Sequence, residues 1–167
     1  MYRSLLRSLT GDESELVLHF FVAFSRFEYA LKQAGFVRRG DNQNALPDWR
    51  RFARERGSSL LDDTMDKELR DAREFLLREP PQRQVVDGDG HLRWRSNKRR
   101  TKEREAEYLL RLVRDVRNNL FHGGKYPHGA VSGQSLRNSK LLQACLTILE
   151  KCLWLDADVK RAFEFLI

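Results

Sequence analysis

Metal-binding chemistry has little to draw on in this chain. It holds two cysteines and four histidines. His19, His91, His122 and His128 are dispersed, and neither Cys-x-x-Cys nor His-Glu-x-x-His occurs, so no metal site or metal hydrolase is expected. Cys145 and Cys152 are seven residues apart on one expected helix face, ~10 Å along its axis and too far to bridge. They read as reduced core residues. Glycine-rich phosphate loops are missing as well, both the P-loop and the dinucleotide fingerprint, so no cofactor is implied. There is no Gly-x-Ser-x-Gly nucleophile elbow. The longest apolar run, Leu16 to Phe24, is interrupted by His19 and is too short to span a bilayer. Nothing at the N-terminus resembles a signal peptide, so a cytoplasmic protein without a membrane partner is expected.

What is present describes a soluble globular protein. Its 167 residues, 41% hydrophobic and 33% charged, suit a single domain over 1–167 with a real core. The net charge of +7 is concentrated. Arg93, Arg95, Lys98, Arg99, Arg100, Lys102 and Arg104 stand against Glu103 alone in the segment 93–104, leaving the rest nearly balanced. Such a segment attracts polyanions; its plainer use is as a solvated loop.

Periodicity predicts mostly helices. Leu5, Leu6 and Leu9 suggest a short helix over Tyr2 to Leu9, followed by a Thr10-Gly11-Asp12-Glu13 capping box. The next helix runs to about Ala34 and stops at Gly35. Its Leu16, Phe20, Phe24, Phe27 and Leu31, with Phe21 and Tyr29 alongside, cover more than one face, which suits a bundle centre or a subunit interface. Arg38 to Ala45 reads as a polar loop. Pro47 then opens a short helix with Trp49, Phe52 and Ala53 inward, ended by Gly57. Leu60, Leu61, Met65, Leu69, Ala72, Phe75 and Leu76 predict a helix over Ser59 to Arg78, closed by Pro80-Pro81. Val85-Val86, Asp87-Gly88-Asp89-Gly90, Leu92 and Trp94 predict a β-hairpin inserted at 82–95. Leu109, Val113, Val116 and Leu120 stripe a helix over Lys102 to Phe121. After a loop over 126–133, a helix begins at Ser132 or Ser135, its apolar side carrying Leu136, Leu141, Leu142, Cys145, Ile148, Leu149, Cys152 and Leu153. Asp156 caps a last short one. The expected fold is an all-α bundle of four to five main helices with that small hairpin inserted.

The most chemically loaded stretch is Arg114-Asp115-Val116-Arg117-Asn118-Asn119-Leu120-Phe121-His122-Gly123-Gly124-Lys125. Arginines near a helix C-terminus are favourable there through the macrodipole alone, and asparagines cap. Yet a guanidinium, two amides and an imidazole crowd beside a glycine break. Arg117 and His122 are ~140° apart on a regular helix. They share a ligand only if the last turn unwinds or a second subunit brings its own copy. A histidine transfers protons near neutral pH, and an arginine holds a phosphate and offsets transition-state charge. Those two groups suit attack by an RNA 2′-hydroxyl on its own adjacent phosphate. Glu28, on a largely apolar helix, wants a cation, with Arg114, Arg117 or Lys32 as candidates. Trp94 between Arg93 and Arg95 offers a base-stacking platform or a cover for the bundle.

Arg117, Asn118-Asn119-Leu120-Phe121 and His122 together resemble the arginine, polar residue, spacer, histidine pattern of the HEPN superfamily. The span Val116 to Lys125 is similar to the signature of its plasmid- and phage-associated branch. Phe20 to Lys32 resembles the first long helix of bacterial members. The resemblance implies a HEPN-like bundle, metal-independent endoribonuclease activity at a cleft shared by a homodimer, and a role as a toxin or antiphage, abortive-infection effector, with an antitoxin protein as a further partner. Arg117, His122 and Asn118 would be catalytic, with Glu28, Arg114 and Asn119 in support. Lys125, Arg93, Trp94, Arg95, Lys98, Arg99, Arg100 and Lys102 would hold RNA. Some relatives carry a modifiable tyrosine two positions after the histidine; here that position is Gly124, with Tyr126 beyond it. The competing reading is a non-catalytic module that binds RNA or protein in a defence or toxin–antitoxin complex.

Overall fold

A computed structural model of the chain describes residues 14–62, 64, 66–121 and 132–165, the side chains of 14 and 132–135 aside. Helix α1 (Ser14–Gln33) turns Phe20, Phe24, Phe27, Ala30 and Leu31 into the core, the three- and four-residue steps of one helix face. It ends in a Schellman turn. Gly35 takes φ +85°, which suits a residue without Cβ. The amides of Phe36 and Gly35 donate to the carbonyls of Leu31 and Lys32 at 2.8 and 3.2 Å. The stop at Gly35 is where the sequence places it.

The expected polar loop after it is instead a second hairpin. Strand β1 (Val37–Arg39) pairs antiparallel with β2 (Ala45–Pro47), Val37 opposite Pro47. Three-residue strands with mostly exposed side chains bury no face, so they carry no alternating apolar signal. Pro47 thus ends a strand rather than opening a helix. Asp48 caps α2 (Trp49–Arg56), accepting from the Arg51 amide at 3.0 Å. Trp49, Phe52 and Ala53 face inward as expected. Trp49 stacks on Phe24 with centroids 5.3 Å apart, and Phe52 meets Phe27 and Phe36 edge-on at 5.6 and 5.2 Å. Complete burial of one such ring contributes about 1.5–3 kcal/mol.

The helix expected over 59–78 is broken. Gly57–Leu61 is a 3₁₀ turn, and α3 starts afresh at Lys67–Arg78 behind Asp66, which accepts from the Leu69 amide at 2.8 Å. Leu60 and Leu69 both reach the core, so apolar spacing runs across a break that only the cap betrays. A Cβ at Gly57 would lie 2.7 Å from the Ala106 Cβ, because this turn sits against the start of α4.

The predicted hairpin is present: β3 (Arg83–Val86) pairs with β4 (Leu92–Arg95), Val86 opposite Leu92. Helix α4 (Glu105–Phe121) begins three residues later than expected. Its Leu109, Leu112, Val113 and Val116 are fully buried. Helix α5 (Ser132–Leu153) buries Leu141, Leu142, Cys145, Ile148, Leu149 and Cys152, whereas Leu136 is exposed. Neither cysteine forms a disulfide, and burial raises the Cys152 thiol pKa, as in an inert core residue. Asp156 caps α6 (Ala157–Glu164) through the Asp158 and Val159 amides at 3.0 and 3.1 Å.

Helix α1 packs on α5 and α6, α3 on α5, and α2 on α4. The fold is mainly α, with six α-helices and two small hairpins among the described residues. No helix among them is long and apolar enough to cross a membrane. The expected helix over 2–9 and the capping box at 10–13 lie outside the described residues, as does the loop expected over 126–133 except for Ser132 and Gly133, which already belong to α5.

A candidate nucleic-acid interface on helix α4

On α4, Glu107, Leu110, Arg111, Arg114, Arg117, Asn118 and Phe121 fall within about 120° of one another. The apolar stripe opposite goes to the core, so one helix carries both the bundle's packing and a cationic face. Its residues meet three different fates.

Arg111 is enclosed. Its guanidinium donates to Glu103 at 2.7 and 2.8 Å, to the Lys98 carbonyl at 3.0 Å and to Asn97 Oδ1, and pairs with Asp115 at 3.4 Å. Buried Asn97 also donates to Asp115 at 2.7 Å, and its carbonyl accepts from the Tyr108 hydroxyl at 2.7 Å. This network clamps the cationic segment onto α4. The hydrogen bonds that Arg111 donates to Glu103 raise the arginine's pKa. Partial burial alone would push the Glu103 carboxyl up, but Arg111 and the Arg100 amide together hold it below its usual range.

Arg114 stands at a cavity of about 260 Å³ between α2, α4 and the cationic segment, lined also by Trp49, Arg50, Arg100, Lys102 and Glu107. Burial lowers its pKa, and Arg38 and Arg117 add to this against the pull of Glu28 and Asp115. Among the described residues Arg100, Lys102 and Arg114 make no side-chain hydrogen bond or ion pair. Glu103 and Glu28 act on Arg100 and Arg114 through space only. The cavity's acids are already engaged, Glu107 by Arg50 at 3.1 Å and Arg54 at 2.6 Å, and Glu103 by Arg111. Glu28, expected to bind a cation, accepts from Trp49 Nε1 at 2.9 Å.

Arg117 is half-buried on an aromatic shelf. Its guanidinium carbon lies 4.6 Å from the Phe121 ring centroid and 5.5 Å from that of Phe24, a favourable cation–π geometry. Asn118 Oδ1 accepts from it at 3.1 Å. Asn119 projects from the other side of α4, where its amide donates to the Gln82 carbonyl at 2.7 Å. It ties the hairpin to the helix and stands apart from Arg117. His122 and Lys125, along with Gly123, Gly124 and Tyr126, lie outside the described residues.

The remaining candidates divide. Arg100 and Lys102 face the cavity. Arg93 is engaged by Asp87 at 2.9 Å within the hairpin, and Arg99 pairs with Glu105 at 3.4 Å. Trp94 is 44% exposed, on a strand whose residues all face solvent. Arg95 and Lys98 are exposed.

No family model, curated protein or solved structure matches the chain.

Sequence reasoning overlooked Arg111, Asn97, Glu103, Arg50 and Glu107. The one acid in a cationic run and a lone asparagine beside it are the signals that point to a clamp. Asp87, Asp89 and His91, at the hairpin tip, are the one group among the described residues able to converge on a metal. Asp87 is already bonded by Arg93 and by the amides of Asp89 and His91.

Proposed function

We propose that this chain is a metal-independent endoribonuclease of the HEPN type, working as a toxin or antiphage effector in the cytoplasm and held in check by an antitoxin. Arg117 carries the reading. It is a guanidinium anchored by Asn118 and two rings, five residues before the only histidine beside the glycine pair, on the helix face that also holds Arg114. In the reaction the ribose O2′ forms a bond to phosphorus and the bond to O5′ breaks. One imidazole takes the 2′-hydroxyl proton, and an imidazolium protonates the leaving O5′, giving a 2′,3′-cyclic phosphate and a 5′-hydroxyl. Arg117 holds the nonbridging oxygens as charge builds on them.

A homodimer supplies two His122 side chains to one cleft. Exposed Leu18, Phe21, Val22 and Tyr29 line one side of α1, and Phe21 touches Phe121 with centroids 5.2 Å apart. That exposed apolar stripe reaches the Arg117 shelf and is the proposed contact between copies. Phe21→Asp is expected to give monomers in sedimentation velocity and to abolish cleavage.

RNA incubated in EDTA is expected to yield 2′,3′-cyclic ends. His122→Ala is expected to slow this by about 10²–10⁴-fold, and Arg117→Ala by about 10²–10³-fold, each with its circular dichroism spectrum unchanged. Wild-type rates in either folded, dimeric variant overturn the assignment. The second reading, a non-catalytic module binding RNA or protein, draws on the same shelf, since a guanidinium stacked on two rings also serves packing. It predicts RNA binding with no cyclic product.

A further inference from the structure

We infer that the cavity between α2, α4 and the segment 96–104 is a phosphate subsite, formed by Arg100, Lys102 and Arg114, that takes an internal phosphodiester of the RNA strand whose scissile phosphate lies at Arg117. The inference rests on the nuclease reading for what the strand is, and on the cavity for where it runs.

The bundle satisfies its cations where it uses them for packing. Arg111 has four partner residues, and Arg50 and Arg54 share one carboxylate. One turn from Arg111, Arg114 is half-buried with no acceptor bonded to it among the described residues; Glu28 and Asp115 act on it through space, against Arg38 and Arg117. A guanidinium withdrawn from water with no carboxylate bonded to it is costly, even with Glu28 and Asp115 acting through space, and the lowered pKa of Arg114 reflects that cost. The carboxylates at the cavity are saturated by other arginines, so the missing acceptor must come from outside. Planar guanidinium groups prefer a bidentate oxyanion, and Lys102 adds a point charge. A cavity of about 260 Å³ has room for a phosphate with part of its sugar, and less than a drug-sized ligand needs. Arg114 and Arg117 are three residues apart on α4, ~4.5 Å along its axis, so a strand held at one is handed to the other. The Arg111 clamp fixes the cationic segment beforehand, which spares binding the cost of ordering it.

The probe is a short 2′-O-methyl RNA, uncleavable because its nucleophile is blocked, titrated by fluorescence anisotropy across a salt series. Each phosphate contact contributes about 0.7 to the slope of log K against log salt for a single strand. The subsite takes one phosphodiester, so Arg100→Gln/Lys102→Gln, at exposed positions where folding is insensitive, is expected to lower that slope by about 0.7, and Arg114→Gln by no more than that. Lys67→Gln, a charge loss on α3 equal to that of Arg114→Gln, is expected to leave it unchanged. A double variant with the wild-type slope overturns the subsite. So does a loss seen only with 5′-phosphorylated probe, which assigns the cavity to a terminal monoester. Cleavage of unmodified RNA in EDTA separates the two readings. Lost slope without any wild-type cleavage keeps the subsite and rejects the nuclease; cleavage with an unchanged slope does the reverse.

Discussion

Arg111 and Arg114 sit one turn apart on the same helix, with opposite surroundings. Around Arg111 every donor has an acceptor, and the result is a joint between α4 and the segment 97–103. Around Arg114 the acceptors have been taken by others, and the result is an opening. The same side chain type therefore serves as a structural pin in one place and a receptor in the other. What distinguishes them is whether the fold bonds a carboxylate to the guanidinium.

The largest effect expected within this contrast is on stability. Arg111→Met leaves Glu103, Asp115 and Asn97 without their shared donor, and is expected to cost about 2–4 kcal/mol in urea unfolding. Glu103→Gln keeps the shape but removes the charge, for about 1–2 kcal/mol at neutral pH. Its effect has a definite pH signature. A carboxyl whose pKa is depressed on folding stabilises the protein above the unfolded value, about 4.3, and that contribution is lost as pH falls through the folded value. The wild-type urea midpoint should therefore fall as acid passes through this range, and Glu103→Gln should flatten part of that fall. Smallest of all, Arg114→Met is expected to change stability by no more than about 0.5 kcal/mol, in either direction, while weakening RNA binding. A loss as large as that of Arg111→Met would erase the contrast and make Arg114 a packing residue.

The sequence made the helical elements legible wherever a face is buried. Gly35, Asp156 and the stripe Leu109, Val113, Val116 work through local backbone geometry or a 3.6-residue period, and both survive translation from sequence to structure. The hairpin at 83–95 was legible through its Asp-Gly turn. The one at 37–47 was not, because Arg38, Arg39 and Ala45 are exposed and leave no alternation. The break before Lys67 hid behind Leu60 and Leu69, whose shared core mimics one continuous helix. At the candidate site, the neighbours Arg117 and Asn118 could be paired from adjacency alone. Asn97 with Asp115, or Glu107 with Arg50, depends on how the segment and α2 lie against α4. Charges on separate elements carry no period that would reveal such partners. Asn119, two residues from Arg117, shows the converse: closeness in sequence put it in the site, and helical geometry puts it on the other side.

The near-contact between the Gly57 turn and Ala106 acts as the fulcrum for everything farther along α4. A single methyl at Gly57 would overlap the Ala106 Cβ, so either the turn or the start of that helix must give way. Tilting a rod at one end displaces its far end most, and Arg117 stands eleven residues on, ~16 Å from the pivot. Where the helix is the part that gives, the absence of one side chain on a distant turn sets the aim of a guanidinium it never touches.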